Sequence, residues 1–250
     1  MSIRGGARFR EDGRTPGQMR PVIVQKDVQK WALSSRNWKQ GDKHVLCSAT
    51  VDYRETPFLR GNGVGWVTAE YAMLPTATSV RMQRESVKGT LGGRTYEIQR
   101  LIGRSLRGVV DTAALGEETV VIECAVIQAV GGTRCASITG GYIALMLALR
   151  KVNLERAITN KIAAISVGVV DGQGLLDLEY REDSSAEVDF NVIGTDAGTY
   201  VELQGTAEGK PFDRAQTTEL LDLADSGLAK LFEIQDAVLA GEAAKAQSAG

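Results

Sequence analysis

The sequence of 250 residues contains a single histidine, His44. A Ser-His-Asp or Cys-His site would have to use that one side chain, and a metal site with two histidine ligands is excluded. Cysteine is nearly as scarce. Cys47, Cys124 and Cys135 are odd in number and lack CxxC spacing. They read as reduced thiols packed as small core residues in a cytoplasmic protein, not as a disulfide framework. No apolar run approaches the roughly 18 residues that cross a bilayer, so no membrane association is expected. The Arg- and Gly-rich N-terminal segment lacks the apolar stretch of a signal peptide. Basic charge is not in excess either: the net charge is −2 and the pI about 5.6. A general polyanion binder is thereby excluded, and nucleic acid would need a local basic patch. Carboxylates, arginines, hydroxyls and backbone are left to carry any chemistry.

With 43% hydrophobic and 24% charged residues, the chain has the composition of a globular protein. Residues 1–11 and 241–250 lack apolar periodicity and read as flexible tails. No Pro/Ser-rich linker interrupts 12–240, so these residues are expected to form a single unit. Strands are expected over 20–24, 43–51 and 65–71, and 34–40 is a loop or edge strand. Ile98, Leu101, Ile102, Leu106 and Val109 recur at helical spacing and predict a helix over 95–110. Its Arg100, Arg104 and Arg107 form a second, cationic face. Segment 118–128 is apolar on both parities, as in a strand buried on both faces. A helix over 136–152 follows. Strands 162–170 and 175–180 are joined by Asp171-Gly172-Gln173-Gly174, a hairpin signal. Another hairpin spans 187–204, and a helix over 217–239 ends the pattern. The order implies a mixed α/β or α+β fold with too few helices for a doubly wound parallel sheet.

Three groups of residues bear on chemistry. Gly131-Gly132-Thr133-Arg134 lies between a strand and a helix. Backbone N–H groups there can face an anion, with Thr133, Arg134 and Ser137 as further donors; from the spacing alone a plain strand-to-helix turn with a surface arginine is the first reading. In 176–183, Leu176, Leu178 and Tyr180 would face the core and Asp177 and Glu179 the other side. Asp183 could turn back toward Asp177, giving two carboxylates suited to Mg²⁺, or the pair is a solvated strand face. Arg60, Arg81, Arg84, Lys88 and Arg94, with the arginine face of the first helix, form either a phosphate or RNA patch or ordinary surface charge. His44 reads as a strand residue with a local hydrogen bond. Cys135 reads as a packing residue.

Taken in order, several segments resemble the ribonuclease PH family of phosphate-dependent tRNA 3′-end exoribonucleases, over nearly the whole chain. They are Arg60-Gly61, Gly65-Trp66, 68–71 (TAEY), 73–75 (MLP), Gly93-Arg94-Thr95 and 97–107 (EIQRLIGRSLR). Gly131–Arg134, 182–184 (EDS), 189–192 (DFNV) and 204–209 (QGTAEG) complete the set. The resemblance implies an α+β fold of two βαβα-type halves of the ribosomal protein S5 domain 2-like kind. It also implies a homo-oligomer, a hexameric ring built as a trimer of dimers. The reaction would be phosphorolysis of the RNA 3′ end, releasing nucleoside 5′-diphosphates, with nucleotide addition as its reverse. Carried over by position, Arg84, Gly132, Thr133, Arg134 and Ser137 would hold phosphate. Asp177 and Asp183 would be the catalytic and Mg²⁺-binding carboxylates, Arg60 would help hold the tRNA 3′ end, and Arg100 would contribute to the RNA-binding basic channel or to subunit contacts. The chain departs from the family at Ala125 and Val130, where aspartates are usual. Thr76 stands where arginine is frequent, Cys135 where threonine is frequent, and 36–40 (RNWKQ) replaces an apolar strand. Loss of the acid at Val130 would leave Arg134 less firmly oriented. The alternative is therefore a catalytically weak RNA-binding ring subunit. A hydrolytic nuclease using the same carboxylates is a third reading.

Overall fold

The computed structural model describes residues 10–52, 59, 61–241 and the backbone of 245–246. Two sheets carry the fold. The first has six strands in the order β10-β1-β2-β3-β5-β4. They are β1 (Val22–Lys26), β2 (Ser34–Gln40), β3 (Lys43–Asp52), β4 (Trp66–Met73), β5 (Thr119–Gln128) and β10 (Lys245–Ala246). Strand β4 runs parallel to β5, and the other pairings are antiparallel. The second sheet, β7-β6-β8-β9, is antiparallel throughout. Its strands are β6 (Ile162–Val170), β7 (Gln173–Leu176), β8 (Val188–Thr195) and β9 (Tyr200–Ala207). The helices are α1 (Glu85–Lys88), α2 (Gly93–Arg107), α3 (Thr112–Leu115), α4 (Thr133–Lys151), α5 (Tyr180–Ser185) and α6 (Arg214–Leu239). The fold is α+β in two halves, each a sheet with its helices.

Helix α4 lies between the halves. It packs on β2, β3 and β5 of one sheet and on β6 of the other. Buried on nearly all sides, it needs no single apolar stripe. Gly140 permits the approach: a Cβ there would stand 2.9 Å from Cys47 Sγ. Helix α2 buries Ile98, Leu101, Ile102 and Leu106 as their spacing predicts. The β6–β7 hairpin turns through Asp171 (φ 50°) and Gly172 (φ 71°), the two positive φ values of a type I′ turn.

Four expectations need correction. Segment 34–40 is an inner strand, paired along its length with β3 and flanked by β1. Its polar side chains have partners beside the strand and along it: Asn37 donates to Gln25 on β1 at 2.7 Å, Arg36 to Asp27 just past β1 at 3.0 Å, and Trp38 to Gln40 on β2 itself at 3.3 Å. Paired in this way they are buried without apolar alternation. Strand β5 is buried on one face only, through Val120, Ile122, Cys124 and Val126, and Glu123 is exposed. Strand β7 stops at Leu176, because Asp177 takes φ 55° and Glu179 caps a new helix. Tyr180 is therefore 58% exposed instead of facing the core. Finally, the chain ends are not wholly loose. Arg10 is buried against Glu182, and Lys245–Ala246 pairs with β1.

Candidate active site

A cleft of about 210 Å³ opens where the N-terminus of α4 meets α5 and β8. The glycine loop forms its floor. Gly131 (φ 70°) and Gly132 (φ 68°) are both left-handed, and a Cβ on Gly131 would lie 2.6 Å from the Leu178 carbonyl oxygen. Only glycine fits that conformation in that space. Helix α4 then starts with no side-chain cap on its first N–H groups, which leaves a helix N-terminus facing the cleft.

Arg134 and Arg94 bring positive charge to the same space. Arg134 donates to Gln204 at 2.7 Å and lies 3.8 Å from Glu97, so β9 and α2 orient it. The acid missing at Val130 is not needed for that purpose. Thr133 shares a 3.0 Å hydrogen bond with the Tyr71 hydroxyl. Ser137 is fully buried and donates to the Thr133 carbonyl at 2.9 Å, so it braces the first turn and does not face a ligand.

Opposite the arginines stand two half-buried carboxylates, Asp183 on α5 and Asp189 on β8. Burial raises the Asp183 carboxyl above its ordinary value, against the pull of Arg134 and Arg94. Asp189 is raised by burial and then by Asp183, while Arg134 and a hydrogen bond from Asn191 act to lower it. One oxygen of Asp189 is buried with no partner among the described residues. Asn191 is held by the Cys135 thiol, which donates to its Oδ1 at 3.2 Å. Burial pushes that thiol up to about 12, so it stays protonated as the donor.

Residues 18–151 match domain 1 of the 3′ exoribonuclease family, and residues 160–227 match its domain 2. The chain belongs to the 3′ exoribonuclease family. It is 50% identical over 237 residues to Ribonuclease PH of Roseobacter denitrificans, across 93% of this chain and 100% of that one. Among solved structures it resembles rice (Oryza sativa) Rrp46 with a TM-score of 0.76 at 17% identity, covering 92% of this chain and 100% of that one. A chain of the Archaeoglobus fulgidus exosome, solved with RNA bound to the active site, gives a TM-score of 0.75 at 20% identity. It covers 90% of this chain and 92% of that one. At such identities these two structures bear on the fold alone.

Within this family framework the expected site residues divide. Gly132, Thr133, Arg134 and Asp183 meet in the cleft. Arg84 does not line it: Arg84 is exposed at the N-cap of α1, and Arg94 takes the place beside Arg134. Arg100 is exposed on α2. Its neighbours on that face are engaged, Arg104 with Glu202 at 3.0 Å and Arg107 over the Trp66 ring at 4.1 Å. Arg60 lies outside the described residues. Asp177 is the largest correction. It is 1% exposed, and Arg20 donates to both its oxygens, at 2.9 Å and 2.5 Å. Burial alone would raise this carboxyl, but Arg20, Lys43 and Arg14 hold it well below the usual range. Asp177 does not line the cleft, and Asp189 supplies the second acid there. Asp189 and Arg94 had visible signals: an acid two residues before Asn191 on an alternating strand, and an arginine following Gly92-Gly93 at a helix start.

Proposed function

We propose that the chain is a phosphate-dependent 3′-to-5′ exoribonuclease that trims the 3′ ends of tRNA precursors and releases nucleoside 5′-diphosphates. The reverse reaction adds nucleotides. One observation carries the reading: a single cleft holds an uncapped helix N-terminus, two arginines and two carboxylates. The 50% identity to Ribonuclease PH over nearly all of both chains supports it.

Inorganic phosphate is already an anionic nucleophile, so the site has to position it and neutralise charge more than remove a proton. The N–H groups of the glycine loop, Thr133, Arg94 and Arg134 would hold it. A phosphate oxygen attacks the last phosphodiester, the bond from phosphorus to O3′ of the preceding nucleotide breaks, and a nucleoside diphosphate leaves. With hydrogen phosphate as nucleophile, its proton ends on that O3′ and the charges balance.

Two half-buried carboxylates, one with an unpartnered oxygen, fit Mg²⁺, which takes oxygen ligands and keeps several waters. Asp183 and Asp189 would hold it. When bound it neutralises charge on the phosphoryl group being transferred.

The same reading includes a cytoplasmic homo-hexameric ring, a trimer of dimers, with residues 12–240 as one folded unit and Arg60 and Arg100 contacting RNA. Exposed Val80 (77%) and Val87 (69%) around α1 support subunit contact, and one apolar core running through both sheets supports the single unit. No described helix is long and apolar enough to cross a membrane. A weak ring subunit gains nothing from the structure, because Arg134 is oriented by other partners.

The deciding experiment incubates a short RNA with the protein, phosphate and Mg²⁺ and identifies the products. Nucleoside diphosphates whose release requires phosphate are expected. Monophosphates formed without phosphate would establish hydrolysis instead, and no product would favour the binding subunit.

A further inference from the structure

Beneath the glycine loop lies a buried charge cluster that the mechanism does not use. Arg10, Arg14, Arg20, Lys43 and Asp177 are all buried, with Glu182 half-buried beside them. Asp12 pairs with Arg14 at the rim. The positive charges outnumber the buried carboxylates, an arrangement that costs free energy unless it has partners. Those partners are largely main-chain carbonyls. Arg20, clasping the Asp177 carboxylate, also donates to the Val130 carbonyl and, at 3.0 Å, to that of Leu178. The Lys43 ammonium donates to the Gly132 carbonyl at 3.3 Å and lies 3.7 Å from Asp177. Arg10 and Arg14 donate to the Asp177 carbonyl at 3.0 and 2.9 Å.

In a planar trans peptide the C=O and the following N–H point in opposite directions. Drawing the Val130 and Gly132 carbonyls toward Arg20 and Lys43 therefore turns the N–H groups of Gly131 and Thr133 the other way. Both residues line the cleft. We propose that Arg20, Lys43 and Asp177 are positioning residues of the phosphate loop. The two cations set the direction of its peptide dipoles and add positive potential under the bound anion. Asp177 is the counter-ion that keeps both in place, not a metal ligand. This inference rests on the reading of the loop as a phosphate site. Burial, with Arg20 alongside, brings the Lys43 ammonium down to about 8, so it is still mainly charged at neutral pH.

The test compares full-length wild type with Lys43→Met and Asp177→Asn, and includes Arg134→Ala as a control for the loop itself. For each, kcat, the KM values for inorganic phosphate and a short RNA, the half-saturating Mg²⁺ and the melting temperature are measured. Lys43→Met should raise the phosphate KM about tenfold, the loss of one charge-assisted hydrogen bond. Its RNA KM, Mg²⁺ requirement and kcat at saturating phosphate should hold, and its melting temperature should not fall, because a surplus buried cation is removed. Asp177→Asn should also raise the phosphate KM and leave the Mg²⁺ requirement in place.

A folded Lys43→Met with the wild-type phosphate KM overturns the proposal, as does a shifted Mg²⁺ requirement in Asp177→Asn. Should Asp177→Asn fail to fold, Lys43→Met decides alone. If Arg134→Ala also leaves the phosphate KM unchanged, the loop is not the phosphate site and both readings fall. If Arg134→Ala raises it and Lys43→Met does not, only the positioning role falls.

Discussion

Arg84 and Arg94 lie ten positions apart in one cationic stretch, yet the structure gives them different surroundings. Arg94 lines the cleft with Arg134 and Asp183, while Arg84 stands exposed at the start of a one-turn helix. Arg94→Ala should therefore raise the phosphate KM by about one to two orders of magnitude, the scale of a charged hydrogen bond. Arg84→Ala should leave it near wild type. Steady-state kinetics at varied phosphate separate the two, and the reverse ranking would return the phosphate role to Arg84. The carboxylates make a similar contrast. Asp189→Asn should raise the half-saturating Mg²⁺ at least about tenfold, whereas a merely structural Asp189 would leave it unchanged. The sign of the pH effect follows from both acids being raised. As pH falls from neutral they take up protons earlier than ordinary carboxylates, and protonated carboxyls do not bind the cation. The Mg²⁺ requirement of wild type should grow as pH is lowered, setting in above the pH at which ordinary carboxylates take up protons. Titrations of rate against Mg²⁺ at each pH would show it.

At the scale of elements, the glycine loop depends on two short segments that meet. Gly131 sits against the turn between β7 and α5, and α5 is held by a capping box in which Glu179 accepts from Arg181 N–H at 2.7 Å and Glu182 accepts from Glu179 N–H at 2.8 Å. Gly131→Ala would combine a positive φ with a contact of 2.6 Å to backbone, so the loop must move. Loss of most phosphate-dependent activity is expected, with a melting temperature lowered by a few degrees at most; unimpaired turnover would show that the loop tolerates displacement. Much of this was legible beforehand. The apolar spacing of α2, the Asp171-Gly172 turn and the double glycine each rest on local rules that tertiary context did not override. Strand β2 was not legible, because Asn37 finds its partner on β1, Arg36 just past the end of β1, and Gln40 on Trp38 of the same strand, so the segment mimics a loop when read alone. The end of β7 was missed for a related reason. Alternation of Leu176, Leu178 and Tyr180 continues past the point where Asp177 turns left-handed to meet Arg20, a residue 157 positions away. That same distant contact removed Asp177 from the cleft and left its place to Asp189.

At the scale of the whole molecule, α4 joins the chemistry to the core. Its first turn carries Thr133 and Arg134, and its middle is wedged between two sheets. Gly140 lies 3.4 Å, as a notional Cβ, from Trp38 and 2.9 Å from Cys47, and Gly141 would meet Ile122 at 3.3 Å. The helix approaches the first sheet as closely as it does because these positions have no side chain. Gly140→Val must push α4 away from β2 and β3, and overpacking of this kind costs about 1–3 kcal/mol. For a chain of this size that lowers the melting temperature by roughly 2–4 °C per kcal/mol. Displacement of α4 also carries its N-terminus relative to Arg94, Asp183 and Asp189, which belong to α2, α5 and β8. The phosphate KM should therefore rise together with the loss of stability, although Gly140 lies two turns from the cleft. Thermal unfolding and phosphate kinetics on the same preparation give both readings. A lowered melting temperature with the wild-type phosphate KM would show that the sheets absorb the strain and that the cleft is held from α5 and β8 alone.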